Sequence, residues 1–152
     1  MNALFRTEDS WSLLLARLAL GGVMLVHGTQ KLLGWFGGQG FSATMHAFTS
    51  HGMPALLAFL VIASESFGSL GLVVGLLTRI AALGAASVML GAIATTHWQN
   101  GFFMNWFGKQ AGEGFEYHLL ALGLALALLT GGGGRWSLDR AIRDSKSGAD
   151  AG

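Results

Sequence analysis

A few polar side chains carry whatever chemistry this chain performs, because they fall where polar groups are costly. Arg17, His27, Gln30 and Lys31 lie in one long apolar window and Glu65 alone in a second; His97 and Asn100 end a third, and Glu116 and His118 open a fourth. An ionisable group inside a bilayer costs about 2.5–3.5 kcal/mol even on lenient insertion scales, so each needs a partner or a task. For Glu65 there are two. It could form a structural ion pair with Arg17 that fixes helix packing, or it could share a proton with His27, since a buried carboxylate beside an imidazole is a proton-handling pair. Glu65 and His27 are the catalytic candidates, and Arg17 is the structural alternative.

At ~100° per residue, Arg17, Met24, His27 and Lys31 fall within a sector of about 80°, so one face of the first helix carries most of its charge and should look inward. Glu65 stands ten residues from the outer end of its window, roughly 15 Å at ~1.5 Å per residue. That depth places it below His27 and above Arg17. His97 and Asn100, three residues apart, share a face if their helix continues that far. Glu116 and His118, two apart, point in opposed directions, and Glu116 is taken as the inward one. Gln30, Lys31, His97, Asn100 and Glu116 would then form a ligand-binding rim of amide, ammonium, imidazole and carboxylate groups beside aromatic rings. Such a rim suits a polar head on an apolar body; a quinone fits, as do other amphiphiles. No local pair has HExxH or comparable spacing, so neither metal nor haem ligation is expected. His46 and His51 fall in a connection and are read as solvated.

The elements that must position these groups follow from composition. The 152 residues are 52% hydrophobic and 11% charged, with a mean hydropathy of +0.53; that is too little polar surface to cover a water-soluble globule. The apolar windows run from about Trp11 to Leu33, Pro54 to Leu77, Ile80 to Thr96 and Phe115 to Thr130. They predict an all-α, polytopic membrane protein, a four-transmembrane-helix bundle whose partner is the lipid bilayer. The first segment follows the acidic pair Glu8 and Asp9 and exceeds signal-peptide length, so it is expected to be retained. Four crossings put both termini on one side. Arg6, Arg79, Arg135, Arg140, Arg143 and Lys146 lie on that side, against Lys109 and Lys31 on the other. The positive-inside rule makes both termini cytoplasmic, N-in and C-in, in the cell's inner (plasma) membrane. Residues 1–140 form the transmembrane domain and 141–152 a short amphipathic cytoplasmic tail.

The turn at 75–80 is brief, which makes the second and third helices antiparallel neighbours. Gly71, Gly75, Ala81, Gly84 and Ala85 suit close helix packing. The outer connections at 34–41 and 98–107 are aromatic, an interfacial belt compatible with ligand contact. Gly131 to Gly134 read as a helix stop. There are no cysteines, so thiolate metal sites and covalent c-type haem are excluded and a redox role needs a diffusible or borrowed cofactor. A formal charge of +1 gives no reason to expect nucleic acid.

The ordered set Arg17-Leu-Ala-Leu-Gly21, His27-Gly-Thr-Gln-Lys31, Glu65, Gly75-Leu-Leu-Thr-Arg79 and Asn100-Gly-Phe-Phe103 resembles the DoxX family of small membrane proteins over about residues 12 to 140. The resemblance implies a four-helix bundle and quinone-linked redox chemistry, of the kind found in the small membrane subunit of thiosulfate:quinone oxidoreductase. On that footing the chain is a membrane subunit of a quinone-linked oxidoreductase, with quinone as cofactor and a soluble or membrane oxidoreductase as partner. The same polar interior would also serve a small-solute or proton-coupled transporter, as a homo-oligomer, or only a structural scaffold subunit.

Overall fold

The computed structural model describes residues 3–149. Six helices follow one another: α1 Trp11–Leu33, α2 Gly40–Ser50, α3 Ala55–Val74, α4 Thr78–Asn100, α5 Glu116–Gly131 and α6 Leu138–Ala149. Three of them, α1, α3 and α4, are long and apolar enough to cross a membrane, at 23, 20 and 23 residues, and α5 is a shorter apolar helix of 16 residues. Twenty residues span about 30 Å, the thickness of a hydrocarbon core. The surface these helices show is apolar as well, with Leu15, Phe59, Leu60, Phe67, Leu83, Leu90, Leu120 and Leu126 all exposed. This is the arrangement of a multi-pass membrane protein.

Helix α1 packs along α3 and against α5, and α4 lies between α3 and α5, so the four long helices close into a ring around Leu20, Met24, Leu72, Ala82, Ala85 and Leu128. Helix α1 begins at Ser10, whose hydroxyl accepts the Leu13 N–H at 3.4 Å. Helix α3 stops at Gly75, whose φ of +72° a side chain would strain. The closest helix approach is at Gly28, where a Cβ would overlap the Glu65 carbonyl; the Ser66 hydroxyl donates to the Gly28 carbonyl there at 3.1 Å. Gly21 makes a second close contact with Leu72 and Val73.

Two features depart from the sequence reading. The connection after α1 contains a full helix, α2, where only an aromatic interfacial segment was expected; its faces mix Thr, Ser and His with Phe and Met, a weak apolar period. Second, α3 rises past the end of α1, so depth counted from its own terminus overstates how far down Glu65 lies. The Glu65 backbone is level with Gly28, five residues or roughly 7–8 Å from the end of α1. Each of α3 and α4 also carries a π-helical turn, Ser64–Gly68 and Ile93–His97. Such turns reorient the side chains within them, and here these include Glu65 and His97.

Candidate functional site

Neither partner weighed for Glu65, Arg17 or His27, pairs with it. Eleven residues separate Arg17 from Gly28, about 16 Å of helix, beyond the reach of an arginine. Arg17 is instead buried at the end of the bundle that carries both termini. Its Nε donates to Gly133 O at 2.8 Å, Nη2 to Trp136 O at 2.8 Å and Arg135 O at 3.2 Å, and Nη1 to Leu72 O at 3.3 Å and to Val73 O. The guanidinium thus satisfies the last carbonyls of α3 and stitches them to the segment entering α6. Buried Asp139 caps α4 in the same region, accepting Leu77 N–H at 2.7 Å and Thr78 N–H at 2.9 Å. Arg79 caps α5, donating to Thr130 O at 2.8 Å and to Leu129 O, as well as to Arg6 O. Gly131 to Gly134, more than a helix stop, are buried against Thr7, Leu13 and Ser137 and complete this plug.

Glu65, buried in the π turn of α3, pairs with Lys31 from α1. Helix periodicity puts Lys31 three residues above Gly28, so its long side chain reaches down to the carboxylate while its stem lies along the helix. His27 is exposed on the flank of α1, and among the described residues no hydrogen bond or ion pair joins it to Glu65. Gln30 donates its amide N–H to Phe36 O at 3.1 Å and lines, with Lys31, an open cleft against α2.

The remaining candidates gather where α4 meets α5. His118, not Glu116, is the inward residue: it is 6% exposed, and its ring lies 4.1 Å from that of His97 and 5.3 Å from that of Tyr117. Glu116 turns to the loop after α4, accepting Met104 N–H at 3.0 Å and Trp106 Nε1–H at 3.1 Å. His97 Nδ1 lies 2.8 Å from Glu113 O, and Asn100 donates to the same carbonyl at 3.0 Å. A carbonyl only accepts, so His97 carries its proton on Nδ1. Hence His97, Asn100 and Glu116 hold the loop between α4 and α5 in place.

Tyr117 was not singled out by spacing. It is the chain's one tyrosine, it lies within electrostatic range of Glu65, and its hydroxyl is buried with no hydrogen-bond partner. His118 Nδ1 is likewise buried and unpartnered, and His27 lies within electrostatic range of that ring. A buried hydroxyl or ring nitrogen left unpaired costs about 1–3 kcal/mol. Ser64 Oγ in the π turn of α3 and Thr78 Oγ1 at the start of α4 are buried without a hydrogen-bond partner too, but of these four residues only Tyr117 and His118 are adjacent in the chain. The signal available in the sequence was position: a phenol between Glu116 and His118, at the mouth of an otherwise apolar helix. Among the described residues no group of three His, Cys, Asp or Glu side chains converges on a metal position.

Residues 12–98 match DoxX. The chain belongs to the DoxX family. That match takes in Arg17, His27, Lys31, Glu65 and His97, whereas Tyr117, His118 and all of α5 lie beyond it. A Bacillus subtilis (strain 168) protein named "Putative oxidoreductase CatD" is 33% identical over 115 residues, which is 76% of each chain. No solved structure matches this DoxX protein.

Proposed function

We propose that this DoxX protein is the membrane subunit of a quinone-linked oxidoreductase, and that the polar interior between α1, α3 and α5 receives the head of a quinone or similar amphiphile. In this reading α5 is the fourth crossing, the plugged end with both termini faces the cytoplasm across the inner membrane, and the α2 end faces outward. The arginines of the plugged end support that orientation.

The observation that carries the reading is the pair of buried, unpartnered hydrogen-bonding atoms, Tyr117 Oη and His118 Nδ1, on neighbouring residues of which Tyr117 lies within electrostatic range of Glu65, the partner of Lys31. A quinone supplies a two-electron, two-proton acceptor whose carbonyl oxygens need donors. Tyr117 Oη–H is a donor, and His118 is one when its proton sits on Nδ1. In this reading Glu65, with Lys31 as its counter-charge, and His27, on the exposed flank of α1, are the proton carriers. The apolar walls of α1 and α5 exclude water from that head while accommodating an isoprenoid-like body. Electrons enter from a separate oxidoreductase partner, because the chain has no cysteine with which to ligate a cluster or bind c-type haem covalently. The name of the Bacillus subtilis relative is consistent with this assignment.

The test is extraction of the purified protein, alone and with any co-purifying partner. Quinone retained by the native protein and lost in Tyr117→Phe and His118→Phe supports the reading, while native protein that neither retains nor binds added quinone removes it.

A further inference from the structure

The cleft between α1 and α2 bears on how the buried carboxylate meets water. It has a volume of about 330 Å³, opens at the α2 end and is lined by Gln30, Lys31, Gly38, Thr44, Ala47 and Phe48. Lys31 bridges the cleft and the interior: its side chain keeps 24% of its exposure, whereas that of its partner Glu65 keeps 7%. In the opposite direction the way is shut. Below Glu65 lie Met24, Leu20 and Leu72, at 1%, 2% and 0% exposure, and below them the plug organised by Arg17. Close-packed apolar side chains leave no room for a water file.

The ionisable groups near Glu65 are few. Helix α1 contributes Lys31, with His27 exposed on its flank, and α5 contributes Tyr117. Helix α4, packed on the π turn, has no ionisable side chain between Arg79 and His97, and α2 carries only His46, which is exposed.

We propose that Glu65 exchanges protons with the aqueous phase on the α2 face alone, through this cleft, with the Lys31 ammonium standing between water and carboxylate. The exchange site is thus one-sided whatever occupies the interior. When Lys31 swings into the cleft, Glu65 takes a proton from water there; when it returns, the proton leaves the same way. The same access makes Glu65 a modification site for small water-soluble carboxyl reagents. The protonated carboxyl adds across a C=N bond of a carbodiimide, its proton passing to nitrogen. The neighbouring Lys31 amine, once deprotonated, attacks the acyl carbon, and an amide forms as the urea departs with the carboxyl oxygen.

The experiment uses the full chain in sealed vesicles of each orientation, with a cationic water-soluble carbodiimide added outside and peptides read by mass spectrometry. Exposed Glu113 reports the α2 face and exposed Glu8 the terminal face. Glu65 modification, or the Lys31–Glu65 amide, should accompany Glu113 labelling and be at least tenfold lower where only Glu8 is labelled. Ala47→Trp, which fills the cleft, should slow Glu65 tenfold or more and leave Glu113 unchanged. Labelling that follows Glu8, labelling only by an apolar carbodiimide arriving through lipid, indifference to Ala47→Trp, or no labelling at all would each overturn the proposal. Protein that labels as expected yet retains no quinone keeps the one-sided access and removes the interior ligand, so the two readings fail separately.

Discussion

At the terminal end of the bundle, Arg17 donates to five backbone carbonyls, Asp139 accepts two backbone N–H groups and Arg79 closes α5. At the α2 end, Tyr117 Oη and His118 Nδ1 are buried and bond to nothing in the protein, and Lys31 holds Glu65 beside an open cleft. Both ends bury polar groups, but the charged ones at the terminal end are spent on helix termini, with the Thr78 hydroxyl left unpartnered beside them, whereas at the other end the phenol and the imidazole are left free. Buried charge by itself therefore does not mark a functional site in this fold. What separates the ends is whether the bonding capacity is already consumed by the backbone.

The comparison breaks most visibly at Arg17. Arg17→Met strands the carbonyls of Leu72 and Gly133 in a buried setting and those of Val73 and Trp136 in a partly buried one, and at about 1–3 kcal/mol for each buried unsatisfied group the loss is several kcal/mol. Thermal unfolding in detergent should show a collapse in stability or no folded protein, with Arg17→Lys recovering only part because an ammonium cannot reproduce the planar fork. Retained stability in Arg17→Met would mean that the plug is not what holds this end. Asp139→Ala comes next. It uncaps α4 and releases the N–H of Leu77, a non-glycine residue at φ +49°. A cost of about 1–2 kcal/mol is expected from the lost cap, read as a lowered Tm, with Asp139→Asn intermediate.

At the other end the same kind of change should do the reverse. Tyr117→Phe deletes a hydroxyl that has no partner, so stability should hold or rise slightly while quinone retention falls by about tenfold or more, equivalent to roughly 1.4 kcal/mol. If Tyr117→Phe unfolds the protein as Arg17→Met does, the two ends are alike and the scaffold account gains.

The four long apolar helices were legible in the sequence because apolar length needs no partner to be recognised, whereas the mixed α2 was not: Trp11–Leu33 stands as expected, and the other windows shift by at most a few residues. Pairing was not, because it depends on how helices are staggered. Glu65 was measured from the start of α3, and only the contact at Gly28 reveals that α3 starts higher than α1 ends, which makes Lys31, and neither Arg17 nor His27, its partner. The inward choice between Glu116 and His118 turned on helix rotation, which spacing alone does not set. Gly28 itself was visible as a residue within His27-Gly-Thr-Gln-Lys31, but nothing in one chain says which neighbour a glycine admits.

The smallest expected effect lies on the surface of the terminal end, where Arg140 pairs with Asp9, and Arg135 lies 3.6 Å from the same carboxylate. The hydrogen bond from Arg140 holds the Asp9 carboxyl below its ordinary value of 3.8. A depressed carboxyl stabilises the fold while ionised, so its contribution is present above about pH 4 and fades as the pH falls through the lower folded value. Because both partners are solvated, the shift in Tm should be small and should shrink further in high salt. Asp9→Asn should remove that acid-side slope while leaving the Tm near pH 7 little changed. A large loss at neutral pH would show that this outer ion pair belongs to the plug, with Arg17 and Asp139, and that the closed end extends to the protein's surface.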